Sequence, residues 1–268
     1  MCYNILKGTN VLLGEEHYRE IQALSERSKL MNYTPKEIDE LSEGIIREFF
    51  KSYNTPPERV DIEALVTNYL NMPLIYETYA EKDSDRLGFT SNGQSPLTVL
   101  RDNQKIDVIY PARTVVIDTF LKRKSEEGRC RFTIAHEAAH CIFDRDHGGK
   151  VEAHFFSTFD AERSYTLDEL RQRMNSCEWQ SNAMAAALLM PRFLVVQALK
   201  KHSGRETLPI YGDSVLSQRS KLVLSKMAKT LGVSYSSLLI RMRGLKLFEH
   251  RDISEYVTRI LNLRGGMT

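Results

Sequence analysis

The feature that most constrains this chain is a mostly apolar run that contains two histidines and a glutamate. Residues 131–143 read RFTIAHEAAHCIF, in which His136, Glu137 and His140 form the pattern H-E-x-x-H. Burying such groups without partners costs several kcal/mol, so each needs a hydrogen bond, a shifted pKa or a metal ion. Positions i and i+4 of a helix lie on one face, with Cβ atoms about 5–6 Å apart, so two imidazoles can converge on one cation. The run therefore predicts a metal-binding helix, with Glu137 within reach of a metal-bound water.

A catalytic zinc ion usually has three protein ligands, and the third ligand has two candidates in this sequence. Asp146 follows in the same segment, but Phe143 stands where a glycine would let the chain turn back toward the metal. Glu178 lies in a second apolar stretch, SCEWQSNAMAAALLMP at residues 176–191, which predicts a helix that ends at its proline. We favour Glu178 as the ligand, and the alternative is a solvated glutamate in the first helical turn.

Asn182 follows Glu178 by four residues and is expected to share its helical face. There its side chain can hydrogen-bond the far nitrogen of a ligand histidine and fix the ring. The alternative is an ordinary polar helix face. A side chain that stabilises an oxyanion is expected as well, and the sequence does not decide between Tyr165, His154 and others.

The rest of the chain predicts a mixed α and β fold. A segment that starts at Thr34, TPKEIDELSEGIIREFFKSYN, predicts an amphipathic helix with Thr34 as N-cap and Glu37 three residues later. A shorter helix is expected from Asp61. Between residues 72 and 118, short β-branched and aromatic segments separated by Gly, Asn, Pro and Asp predict a small curled sheet. Beyond Pro191 the sequence is nearly all helical.

Composition places the chain among ordinary globular proteins, with 42% apolar and 27% charged residues. No run approaches the roughly 18 apolar residues of a membrane span, and the N-terminus lacks a signal-peptide layout. Four scattered cysteines do not form the disulfide framework of a secreted protein. We therefore expect a cytoplasmic protein without a membrane partner, whose reduced thiols are buried and inert rather than a switch.

Charge is distributed unevenly along the chain. From Arg192 to the C-terminus there are fourteen Lys or Arg and five Asp or Glu, a net charge of +9, whereas the residues before it carry −7. Within this tail, LSKMAKTLGVSYSSLLIRMRGLKLF at residues 224–248 resembles a helix-turn-helix with its turn at Gly232. Arg241 stands where an aliphatic residue is usual, and the second helix has few side chains suited to reading bases. We favour a helical platform that supports the metal-binding domain or docks its partner over a DNA-binding module.

These patterns divide the chain into three predicted segments. They are an N-terminal helical extension (residues 1–33), a domain that carries the metal-binding helix (34–195) and a basic, helical, helix-turn-helix-like module (196–268). Basic residues cluster early in the tail, and we predict that they recruit the substrate through an acidic surface or through DNA that the substrate occupies. The recruiting residues are predicted to be Lys200, Lys201 and Arg205.

Together the two helix motifs resemble the ImmA/IrrE family of zinc metallopeptidases. Members share R-F-T-x-A-H-E-x-x-H and E-x-x-x-N-x-x-A-x-x-L-L-M-P, which are matched by RFTIAHEAAH and EWQSNAMAAALLMP. The resemblance implies an α+β, zincin-like fold of the gluzincin type, with a small curled sheet and active-site helices. It also implies that residues 34–195 form a zinc metallopeptidase domain, with one zinc ion per chain held by His136, His140 and Glu178 and with Glu137 as the catalytic carboxylate. The implied substrate is a DNA-bound repressor whose cleavage switches on target genes.

Three positions depart from the family pattern without removing a ligand or the catalytic carboxylate. Ala139 stands where glycine is frequent, Asp144 where histidine is common, and Ser181 where alanine usually precedes the asparagine. Asp144 continues the face of the two histidines and is a candidate to orient one of them. The alternative for Asp144 is a solvated aspartate at the end of the helix.

We therefore expect a zinc-dependent endopeptidase in which Glu137 assists the attack of a zinc-bound water on a peptide bond. The alternative is a DNA-binding transcriptional regulator whose zinc domain senses rather than cleaves. The intact Glu137 favours the peptidase, because a sensor does not need that carboxylate.

Overall fold

The computed structural model describes residues 33–80, 86–146, 154–157 and 176–265. The predicted extension at residues 1–33 lies outside them apart from its last residue. The helices are α1 (Pro35–Phe50), α2 (Ile62–Ala64, continued by a π-helical turn at Leu65–Tyr69), α3 (Glu127–Asp146), α4 (Ser176–Leu189), α5 (Arg192–Ser203), α6 (Gln218–Leu231), α7 (Tyr235–Gly244) and α8 (Ile253–Gly265). The strands are β1 (Leu74–Glu77), β2 (Arg86–Thr90), β3 (Leu97–Arg101), β4 (Gln104–Val108), β5 (Val115–Asp118), β6 (His154–Ser157), β7 (Leu208–Tyr211) and β8 (Phe248–Arg251).

A four-stranded sheet forms the floor on which the histidine helix lies. Its strand order is β1-β5-β2-β6, with β1 parallel to β5 and with β2 antiparallel to both of its neighbours. The buried residues of β5, Val115, Val116 and Ile117, point to both faces of the sheet, as expected of a central strand covered on both sides. Helix α3 packs across β2 and β5. The sheet therefore brings β2 directly under the H-E-x-x-H segment.

The strands predicted between residues 72 and 118 are confirmed, but they form two sheets instead of one. β3 and β4 make a separate hairpin, joined by Asp102 and Asn103, whose φ values of 50° and 62° suit a tight two-residue turn. An isolated bridge between Tyr79 and Val99 links this hairpin to the end of β1. Strand β6 has no counterpart among the sequence-based predictions.

The predicted start of α1 is confirmed in detail. The Thr34 side chain accepts a hydrogen bond from the Glu37 backbone N–H, and the Glu37 carboxylate accepts one from the Thr34 backbone N–H. This reciprocal pair satisfies donors that the first turn of a helix leaves without intrahelical partners. The buried face of α1 packs against α4, so the first helix supports the second half of the site.

The C-terminal segment is mostly helical, as predicted, but it also contains a two-stranded parallel sheet of β7 and β8. Gly204 and Gly232 end α5 and α6 with φ values of 69° and 68°, a left-handed conformation in which glycine has no Cβ to clash. One hydrophobic core runs from Ile38 to Leu247 and so crosses the predicted domain boundary at residue 195. That boundary stays a prediction.

Within the described ranges, no single helix is long and apolar enough to cross a membrane. Helices Glu178–Leu189 and Arg192–Ser203, which meet at 48°, reach that threshold only when they are counted together, on length and composition alone.

Candidate metal centre

Two helices build the candidate site. His136 and His140 lie one turn apart on α3, and both are buried. Glu178 lies in the first turn of α4, which packs more extensively against α3 than any other described element does, and its side chain remains 27% exposed. The three residues form the one group of His, Cys, Asp or Glu side chains in the described part of the chain that could hold a metal ion.

The spacing of the donor atoms fits a small cation. The two histidine Nε2 atoms are 3.0 Å apart, and the Glu178 oxygens lie 3.3 Å from His136 Nε2 and 3.5 Å from His140 Nε2. A tetrahedral ion with ligands at about 2.0–2.1 Å separates neighbouring ligand atoms by about 3.3 Å. Two imidazoles and one carboxylate are also a donor set that zinc prefers. The residues therefore fit the metal that the sequence predicts.

Asn182 orients His136. Its Nδ2 atom donates to the Glu178 carbonyl at 2.9 Å, which turns Oδ1 toward His136 Nδ1 at 3.2 Å. Because an amide oxygen only accepts, this contact favours a His136 ring that donates from Nδ1 and presents Nε2 to the candidate metal position. The structure thus brings Asn182 to the position that the sequence suggested. Ser181 Oγ lies 3.2 Å from Nδ1 of the other histidine, a contact that sequence reasoning missed.

Glu137 lies beside the three candidate ligands and is fully buried on α3. Its Oε2 accepts a 2.5 Å hydrogen bond from Thr90 Oγ1 on β2, whereas its Oε1 has no hydrogen-bond partner among the described residues. Burial raises the pKa of Glu137 to about 8, the Thr90 hydrogen bond lowers it, and the nearby Glu178 charge raises it again. One carboxylate oxygen is thus held by Thr90, and the other has no hydrogen-bond partner among the described residues.

Gly88 lets β2 approach Glu137 closely. A Cβ atom at this position would lie 2.6 Å from both Glu137 Oε1 and Thr133 Cγ2, distances that side-chain atoms do not tolerate. The sequence carries no sign of this contact or of the Thr90 contact, because β2 precedes α3 by about forty residues.

The peptidase family M78 model for the IrrE N-terminal-like domain matches residues 67–243, most of the described fold and all of the candidate site. The chain belongs to the ImmA/IrrE family. No curated protein matches it. Membership in this peptidase family agrees with the resemblance carried by the two helix motifs, and the matched span reaches from α2 to α7.

Other predicted residues lie outside this centre or outside the described side chains. Asp144 and Asp146 belong to the last turn of α3, where side chains are not described, so neither predicted role is tested. The oxyanion candidates are untested as well, because Tyr165 lies outside the described residues and the side chain of His154, in β6, is not described. The predicted recruiting residues lie at the C-terminal end of α5 and in the turn that follows it. They are Lys200, Lys201 and Arg205.

Proposed function

We propose that this family member is a zinc-dependent endopeptidase with Glu137 as its catalytic carboxylate. The observation that carries the proposal is the convergence of His136, His140 and Glu178 beside a buried carboxylate oxygen that has no described partner. A structural metal site would not need such an oxygen, because its ligands alone complete it. Membership in a peptidase family supports peptide-bond hydrolysis as the reaction.

The chain's own groups suit the expected chemistry. When bound, zinc would lower the pKa of a coordinated water to about 7 and polarise the scissile carbonyl. Glu137 Oε1 would take the proton of the attacking water and pass it to the leaving amine. Thr90 would hold Oε2 meanwhile, so that the carboxylate keeps one orientation during both transfers.

We further propose that the substrate is a protein, specifically a DNA-binding repressor, as the family resemblance implies. The tail would act as a platform. Tyr235, Ser236 and Ser237, at the start of α7, are all partly buried, and Tyr235 packs against the main core. A recognition helix needs these first residues exposed to reach base edges in a major groove. The packing of α7 therefore supports a platform over the alternative of a DNA-binding regulator.

Metal analysis combined with one conservative variant tests the enzymatic proposal. Protein purified without chelator is expected to contain one zinc per chain, and replacing His140 with alanine should remove it. Glu137→Gln should keep the zinc and abolish cleavage of the repressor, because the amide cannot accept the proton. Wild-type protein that takes up no zinc would refute the metal assignment. Loss of zinc from Glu137→Gln would refute the role given to Glu137.

A further inference from the structure

A cavity lies on the side of α3 that faces away from the candidate metal centre. Its volume is about 850 Å³, within the range of about 300–1,000 Å³ that small-molecule sites occupy. It is bordered by α2 and the loop before it, by β1, by the turns that follow β5 and by the start of α3. Glu127 and Arg131 in its wall precede His136 and His140 by nine residues each, which is about two and a half helical turns. The cavity is therefore separate from the candidate ligands, and the proposed mechanism uses none of its residues.

The cavity combines apolar and aromatic surface with charged walls. Ile62 and Leu121 line it and are buried, and the rings of Tyr53 and Tyr76 are partly exposed in it. Its positively charged side chains are Arg59, Lys122, Arg123, Lys124 and Arg131, and its negatively charged ones are Asp61, Glu63 and Glu127. Five positive charges and three negative charges leave the lining with a formal net charge of +2.

The three carboxylates of the lining already have partners. Asp61 caps the first turn of α2 and accepts a backbone N–H there at 3.1 Å. Glu63 accepts a hydrogen bond from the Tyr76 hydroxyl at 2.5 Å, and Glu127 pairs with Arg59 at 3.0 Å. These contacts use the negative charge of the cavity wall locally, so little of it is left for the other cations.

Three consecutive cations of the lining lack such a partner. Lys122, Arg123 and Lys124 form no ion pair with a carboxylate of the described residues. Lys122 Nζ lies 4.3 Å from the centre of the Tyr76 ring, and an aromatic face offsets only a small part of an ammonium charge. The turns after β5 therefore present positive charge to this cavity.

Two neighbouring guanidiniums add to this charge. A Cβ atom on Gly232 would lie 3.1 Å from Arg131 Nε and 3.2 Å from Arg59 Nη1, so the two groups are close to each other. Backbone carbonyls accept hydrogen bonds from Nε and Nη2 of Arg131 and fix its orientation. Burial lowers the pKa of Arg131, and the Arg59 charge lowers it further, because like charges repel. A bound anion would reduce this repulsion.

We propose that this cavity binds an organic phosphate of about the size of a mononucleotide. A phosphate monoester is close to a dianion near neutral pH, because its second pKa is about 6, so its charge matches the +2 of the lining. Arginine and lysine are the side chains that bind phosphate oxygens, and the apolar and aromatic surface suits the organic part of the ligand. This binding site is independent of the proposed peptidase function.

Isothermal titration calorimetry with adenosine monophosphate (AMP) tests the proposal on the full chain. In the double variant Lys122→Gln, Lys124→Gln the dissociation constant of AMP should rise about 5-fold or more, because two cationic partners of the phosphate are lost. Glu127→Gln removes a competing carboxylate and should lower it. Arg129→Gln is the matched control, because Arg129 is an exposed cation of the same helix that does not line the cavity. Its dissociation constant should stay within about 2-fold of wild type.

Two further probes separate the charge of the ligand from its organic part. Adenosine should bind about 10-fold more weakly than AMP or worse, and inorganic phosphate should compete with AMP. Equal affinity of wild type and the double lysine variant for AMP overturns the proposal, and so does adenosine that binds as tightly as AMP. Absence of AMP binding at millimolar concentration overturns it as well. A hexaglutamate peptide that binds instead would identify the cavity as a docking site for an acidic protein segment.

Discussion

Glu137 is held in an environment that disfavours its charge. The carboxylate is fully buried, and burial raises its pKa from the ordinary value of 4.5 to about 8 in the metal-free protein. Thr90 provides the hydrogen bond that partly offsets this effect. A carboxylate with a raised pKa is suited to hold and release a proton near neutral pH, which agrees with the role proposed for it.

The raised pKa predicts a pH dependence of stability for the metal-free protein. Below about pH 4.5 the Glu137 carboxyl is protonated in both the folded and the unfolded chain. Between about pH 4.5 and pH 8 only the folded chain keeps this proton. The free energy of unfolding should therefore fall as the pH rises through this window. The glutamine side chain of Glu137→Gln does not titrate, so the unfolding free energy of this variant should fall less over the same pH range. Thermal unfolding of chelator-treated proteins at several pH values measures it, and identical pH profiles would contradict the prediction.

Gly88 limits which side chains β2 can carry beneath the Glu137 carboxylate. In Gly88→Ala the added methyl meets Glu137 and Thr133 at 2.6 Å, so β2 or α3 must shift. We expect a loss of about 1–3 kcal/mol in unfolding free energy, together with a loss of cleavage. Gly44→Ala is the control, because Gly44 lies in the interior of α1 with nothing within 4 Å of the added atom. That variant should be stabilised by about 0.5–1 kcal/mol, and equal effects in chemical denaturation would argue against the close contact.

At the scale of elements, one buried and one largely buried arginine join segments that are distant in sequence. Arg131, on the first half of α3, donates to the Val60 carbonyl at 2.7 Å and to the Gly232 carbonyl at 3.0 Å. Burial lowers its pKa, with the nearby Arg59 charge acting in the same direction. The histidine helix is thereby attached to the turn between α6 and α7. This attachment agrees with the platform role proposed for the tail.

Arg241 makes a similar connection and explains an arginine where an aliphatic residue was expected. Its guanidinium donates to the Met190 carbonyl at 3.0 Å and to Asp39 Oδ1 at 2.6 Å. Met190 follows the last residue of α4, so Arg241 satisfies a carbonyl that the helix end leaves without an intrahelical partner. Helices α1, α4 and α7 are joined at this point.

Replacing Arg131 with methionine tests the connection between α3 and the tail. Methionine keeps much of the side-chain volume but leaves two carbonyls without these donors, so we expect the unfolding free energy to fall by about 2–4 kcal/mol. Arg129→Met is the control on the same helix, because Arg129 is exposed and pairs with Glu126, the residue that precedes α3. Its effect should stay below about 1 kcal/mol. Equal losses in urea denaturation would mean that the Arg131 hydrogen bonds contribute little.

At the scale of the whole molecule, two of the predicted recruiting lysines already form ion pairs with glutamates. Lys201 pairs with Glu58 at 2.5 Å, and Lys200 lies 3.4 Å from Glu206. All four side chains are about half or more exposed, so these pairs are screened by water and salt and hold the lysines weakly. The lysines therefore remain available to an acidic partner at a modest cost.

Charge changes in both directions test the predicted recruitment. Reversing Lys200, Lys201 and Arg205 to glutamate should raise the KM for the repressor several-fold, with kcat and zinc content little changed. The double variant Glu58→Gln, Glu206→Gln removes the ion-pair partners of Lys201 and Lys200 and should lower the KM. Both effects should shrink as salt rises, because the Debye length is about 8 Å at physiological ionic strength. If neither set changes KM across a salt series, the tail does not recruit the substrate electrostatically.

The sequence predicted well those helices and strands whose signal lies within a few neighbouring residues. The capping box of α1, the strands between residues 72 and 118 and the helical spacing of His136 and His140 each depend on neighbours within a few residues. β6 and the β7–β8 pair were missed, because a four-residue strand carries almost no periodic signal and is stabilised by the strand it pairs with. Two sheets replaced the one expected, since strand order depends on packing rather than on local pattern.

The sequence by itself determined that two imidazoles share one face of a buried helix, because the period of the α-helix makes positions i and i+4 neighbours in any fold. Only the tertiary structure decided what surrounds them. The packing of α4 on α3 brings Glu178 and Ser181 to the histidines across about forty residues, and the passage of β2 under α3 brings Thr90 to Glu137. Such contacts depend on how whole elements pack in the core, and no spacing along the chain encodes that packing.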